Sequence, residues 1–139
     1  MSIYFSEGSP QSDFSSAQLR EAMKATFERL QPRKVLALPP DQTRYDSRAG
    51  ELTCIAHQLL GEKLTDVMPA LGTHEAMSSD QLEMMFPGLP QSLIREHRWR
   101  TDVVRLGMVD ADFVSNATEG TYSKSMAGRN QPDAYRGRA

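Results

Sequence analysis

Apolar residues recur at Leu19, Met23, Phe27 and Leu30, every three to four positions, which is the period of one helix face. Ser15 and Gln18 precede that run at the spacing of a capping box, in which each side chain bonds the other's free backbone N–H, and Pro32 ends it. The spacing predicts a first helix opening at Ser15. "KVLAL", residues 34–38, is short, apolar and bounded by two prolines, and reads as a strand buried on both faces. Residues 47–62 return to a helical period, with Leu52, Ile55, Ala56 and Leu59 on one face, Cys54 and His57 off it, and Gly61 as the stop. "TDVMPAL", 65–71, is a weaker strand that Pro69 pushes toward an edge or an end. Ser78 and Gln81 form a second capping-box pair ahead of Leu82, Met85 and Phe86, and Pro87 closes that helix. Residues 91–99 read as one or two helical turns, and "DVVRLGMV", 102–109, as a third strand.

The alternation of helix and strand predicts an α/β fold, a parallel sheet flanked by helices with right-handed crossovers. Residues 1–14 are polar and expected to be flexible, residues 15–120 form the domain, and 121–139 have few large apolar residues and are expected to be a disordered tail. A domain that closes on a strand and such a tail reads as cut short.

Ligands in parallel sheets bind beyond the carboxyl ends of the strands. Two polar stretches lie there, "DQTRYDSR" at 41–48 and "GTH" at 72–74. Arg44 presents a planar fork of donors suited to a carboxylate or phosphate, Asp41 can orient it or accept a substrate hydroxyl, and Thr43 adds a small donor and acceptor. A capped loop with a surface ion pair would look the same and be worth little. Gly72 permits close backbone approach, Thr73 can cap or donate, and His74 is the side chain best able to exchange a proton near neutral pH. A histidine satisfied by a neighbour at a strand end is an even alternative for His74 alone. His97 falls beside Leu93 and Ile94 on an expected helical face, where a packed histidine is the plainer reading.

Composition adds exclusions. The 139 residues suit one domain, and a net charge of −2 gives no basic footprint for nucleic acid. No apolar run is long enough to span a membrane, and the first residues lack the charged and apolar regions of a secretory signal. Cys54 is the only cysteine and cannot form an internal disulfide. A cytoplasmic protein is expected. No GxGxxG, P-loop, HExxH or GxSxG motif occurs.

Over roughly residues 33–120, "LPPDQTRYDSR", "ALGTHEAMSSDQLEMMF" and "HRWRTDVVRLG" resemble the N-terminal domain of the nickel-dependent lactate racemases, the LarA-type proteins. The resemblance implies interconversion of 2-hydroxy acid enantiomers through hydride transfer to a nickel pincer nucleotide, with histidines moving the hydroxyl proton. It places His74 as a catalytic acid–base group, Asp41, Thr43 and Arg44 on the substrate, and Gly72 and Thr73 along the cofactor cleft. It also implies that the second histidine, the cofactor-attaching lysine and the nickel ligand belong to a missing C-terminal domain or a separate partner chain, so no metal ligand is assigned here and the chain alone is expected to be inactive. Where that family has His-Asp, this sequence has His97-Arg98. The alternative is a non-catalytic α/β module that binds an anionic small molecule or a protein through the same strand ends.

Overall fold

The computed structural model describes residues 3–130. Two compact units are present, one running to Glu96 and one starting at His97, where the sequence suggests a single domain over 15–120.

The first unit is mixed α/β. Helix α1 (Ser16–Leu30) opens on the expected capping box, with Ser15 accepting from the Gln18 N–H and Gln18 accepting from the Ser15 N–H. It ends as Gln31 turns left-handed (φ 46°) and donates its N–H to Phe27 O. Strand β1 (Val35–Ala37) pairs in parallel with β2 (Leu64–Val67), and helix α2 (Ala49–Leu60) makes the crossover between them. Helix α3 (Ser79–Met85) carries the second capping box, Ser78 with Gln81.

The core lies where α2, β2 and α3 meet. Leu60, Leu64, Val67, Met85, Phe86 and Leu89 are buried together, and Met23 and Phe27 of α1 pack partly against them. Phe86, just past the end of α3, is 1% exposed. Gly50 explains how closely α2 meets α3, since a Cβ there would fall 2.0 Å from the Met85 carbonyl oxygen.

Several expectations need correction. β1 is not buried on both faces; Val35, Leu36 and Ala37 are half-buried and Leu38 is exposed, because among the described residues β1 has only β2 as a neighbour. Residues 91–99 do not form a helix face shared by Leu93, Ile94 and His97. A short 3-10 turn, Gln91–Leu93, gives way to extended chain, and Ile94 makes a parallel bridge to Val67 as the Arg95 N–H donates to Val67 O at 2.8 Å. Backbone pairing beside β2 overrides the weak helical period there.

The second unit also departs from the expected third parallel strand. β3 (Val104–Val109) pairs antiparallel with β4 (Met126–Asn130) in a separate two-stranded sheet, with helix α4 (Ala111–Ala117) between them. Asp110 caps α4 through the Phe113 N–H, and Val114 is its buried residue. The expected tail is thus corrected over 126–130, which forms a strand, and its remainder from 131 to 139 lies outside the described residues.

Candidate functional site

The parallel pairing does not stop at the ends of β1 and β2. Met68 N donates to Ala37 O at 2.9 Å, Ala70 N donates to Pro39 O at 2.8 Å, and Pro40 bridges Ala70. Two prolines on the first segment cost it N–H donors, so the second segment supplies the donors that hold the strand ends together. Asp41 and Leu71 therefore leave the sheet side by side, each into its polar stretch.

On the first side Asp41 is 2% exposed and caps the short 3-10 turn Gln42–Ser47. Its Oδ1 accepts from the Thr43 N–H at 3.0 Å and the Thr43 hydroxyl at 2.6 Å. On the second side the chain turns at Gly72 (φ 59°), and the His74 N–H donates to Leu71 O at 2.9 Å. That turn brings His74 Nδ1 to 2.5 Å from Asp41 Oδ2. Residues 33 apart in sequence thus form one hydrogen-bonded set, Thr43–Asp41–His74.

The charge state of the set follows. Burial pushes the Asp41 carboxyl up, but the Thr43 hydroxyl, His74, the Thr43 N–H and the charge of His74 together outweigh it and hold the group below the ordinary 3.8. An ionised carboxylate only accepts, so His74 Nδ1 is the donor, and whenever the ring is neutral its lone pair is on Nε2. The His74 side chain is 52% exposed while that of Asp41 is 3% exposed, so the ring is open to a ligand and its anchor is not.

Arg44 lies one residue beyond Thr43, at a kink in the 3-10 turn (φ −113°, ψ 31°). Its side chain is exposed and makes no hydrogen bond or ion pair with the described residues, so the guanidinium fork is free for an anion. Arg48, at the end of the same turn, is otherwise engaged. It holds Glu51 by two bonds, 2.6 and 3.0 Å, and also donates to Phe14 O. Its ion pair lowers the Glu51 carboxyl.

The structure adds detail to the sequence reading at three places. Asp41 orients His74 and not Arg44, a partnership that only the parallel register of β1 and β2 reveals. Gly72 takes a positive φ of 59°, and a Cβ there would meet no described protein atom within 4 Å. Thr73 is exposed, and it makes no hydrogen bond to the set. Gln42 was not singled out from sequence; its Oε1 is buried with no hydrogen-bond partner among the described residues. His97 is half-buried, and its Nδ1 is likewise buried without such a partner. Cys54 donates to Pro87 O at 3.7 Å, and burial with the nearby Glu83 and Glu51 pushes its thiol up, away from reactivity.

Among the described residues, no group of three or more His, Cys, Asp or Glu side chains is placed to hold a metal ion. The residues present therefore do not fit a nickel site of their own. Nor is any described helix long and apolar enough to cross a membrane.

No family model matches the chain, and no curated protein matches it. Its fold is similar to the crystal structure of a protein from Thermotoga maritima determined by the Northeast Structural Genomics Consortium, with a TM-score of 0.73 and 23% identity over 91% of this chain. The likeness shows a shared α/β fold, and the matched region spans 31% of the length of that protein.

Proposed function

We propose that the Asp41–His74 pair and Arg44 form one wall of a site for small 2-hydroxy acids, and that this chain contributes the proton-transfer half of a racemase of the lactate racemase type. The observation that carries the reading is the 2.5 Å bond between His74 Nδ1 and a buried, ionised Asp41. It leaves Nε2 of the neutral ring as the base, and the turn that Asp41 caps carries the uncommitted Arg44 guanidinium. Arg44 pairs with the substrate carboxylate. His74 Nε2 takes the proton of the 2-hydroxyl and returns it, while Asp41 keeps the ring in that tautomer and favours the imidazolium formed in between. Loss and return of the α-hydrogen as hydride need an acceptor that these residues do not provide. Groups outside this chain supply it, and racemisation requires them.

The alternative is an anion-binding module in which Arg44 and Thr43 hold a carboxylate and no chemistry follows. Lactate and propionate, which differ by the hydroxyl, separate the two by calorimetric titration. The racemase reading expects lactate to bind more tightly than propionate, and His74→Ala to erase the preference while Arg44→Ala abolishes both. Equal binding that is indifferent to His74→Ala would leave only the anion module. No binding of either acid would defeat both. In the complete, active enzyme the reading expects His74→Ala to abolish racemisation without unfolding the domain.

A further inference from the structure

A second recess in the first unit is lined by none of Asp41, Thr43 and His74. It is a groove of about 420 Å³ between the Gln42–Ser47 turn, α2 and α3. That is the size of a small-molecule pocket. Its floor is apolar and fixed, with Ile55 and Met85 buried and Gly50 allowing the helices to meet there. Its walls are apolar but open, with Met84 52% exposed and the Tyr45 ring 55% exposed.

The polar groups around the groove divide sharply by whether they are already satisfied. Arg48, the single cation of the lining, is held by Glu51 at 2.6 and 3.0 Å and by Phe14 O. Gln58 Oε1 accepts from Arg20 at 2.5 Å, and the Cys54 thiol is turned to Pro87 O. The Asp46 carboxylate and the Tyr45 hydroxyl have no hydrogen bond or ion pair with the described residues. The uncompensated charge at the groove is therefore negative.

A groove with an apolar floor, an aromatic wall and one free carboxylate selects a particular chemistry. An anion would meet Asp46, and a neutral apolar molecule would leave its charge without a partner. An ammonium group satisfies Asp46 and can sit against the Tyr45 ring, while its hydrocarbon covers Met84 and Ile55. We propose that this groove binds a small organic cation, an amine carried on an aromatic or aliphatic body, with Asp46 as its counter-ion. Its lining residues are not those assigned to the hydroxy acid, although Tyr45 and Asp46 share the Gln42–Ser47 turn with Arg44.

The test uses the full chain with 2-phenylethylamine as probe and 3-phenylpropionate as its anionic counterpart. Binding is read by calorimetry and by the rate at which N-ethylmaleimide alkylates Cys54, which lines the groove. The amine is expected to bind, to slow alkylation of Cys54, and to outbind the acid. Asp46→Asn, an exposed change that leaves the fold alone, is expected to weaken the amine by about tenfold, while Arg44→Ala leaves it unchanged. The proposal is overturned if the acid binds as well as the amine, if Asp46→Asn has no effect, or if the bound amine leaves Cys54 alkylation untouched. Binding of a lysine-rich peptide without binding of the amine would also overturn it, in favour of a protein-facing surface.

Discussion

At the residue scale, Asp41 decides most. It is buried, it caps the turn that carries Arg44, and it fixes the ring of His74. Because its carboxyl is held below 3.8 in the folded chain, it binds a proton less readily folded than unfolded. The sign then follows: the ionised form contributes stability above that value, and the contribution is lost as pH falls through the lower folded pKa. Asp41→Asn is accordingly expected to unfold at lower urea than the parent near neutral pH. The gap should close well below pH 3.8, where the parent carboxyl is itself protonated. Urea midpoints at both pH values check this, and an unchanged gap at acid pH would show that the carboxylate charge plays no part. The placement of Asp41, Arg44 and His74 just past strand-like apolar runs was legible in sequence. Their division of labour was not. Whether Asp41 faces Arg44 or His74 depends on how far one strand slides past the other, and two short runs do not record that.

At the element scale, local chemistry was the more legible part. Both capping boxes formed where Ser15–Gln18 and Ser78–Gln81 place them, because the bonds involved span three residues and need nothing distant. Strand pairing was less legible, since it depends on partners far along the chain. β3 was read as a third parallel strand, but its partner β4, "MAGRN", has one large apolar residue and no alternation to announce it. The contact of α2 with α3 tests this scale directly. In an isolated helix Gly50→Ala would gain about 1 kcal/mol from propensity. Here the new Cβ would lie 2.0 Å from the backbone oxygen of Met85, and backbone cannot swing aside as a side chain does. Forcing the helices apart costs about 1–3 kcal/mol, which outweighs the propensity gain. Gly50→Ala is therefore expected to lower the melting temperature. A rise would mean that the two helices part at little cost.

At the scale of the whole molecule, the two units distribute apolar surface very differently. The first buries Phe86, Leu64, Val67 and Met85 almost completely. In the second, all six residues of β3 are exposed, Leu106 at 69%, and Met126 of β4 and Phe113 of α4 are exposed as well. A two-stranded sheet is marginal in water without a covering layer, so its stability cannot come from its own faces alone. Truncating the two kinds of apolar residue should give opposite signatures. Phe86→Ala removes a fully buried ring and should cost about 3–5 kcal/mol, a large share of the 5–15 kcal/mol that typically holds a domain together. Leu106→Glu removes no buried contact and should leave the main thermal transition within about 0.5 kcal/mol of the parent. It should instead reduce binding of the dye anilinonaphthalene sulfonate, which reports exposed apolar surface. Melting curves and dye fluorescence on the same two variants check both halves. If Leu106→Glu lowers the melting temperature as Phe86→Ala does, the β3 face is covered in solution, and the apolar side chains along it belong to an interior.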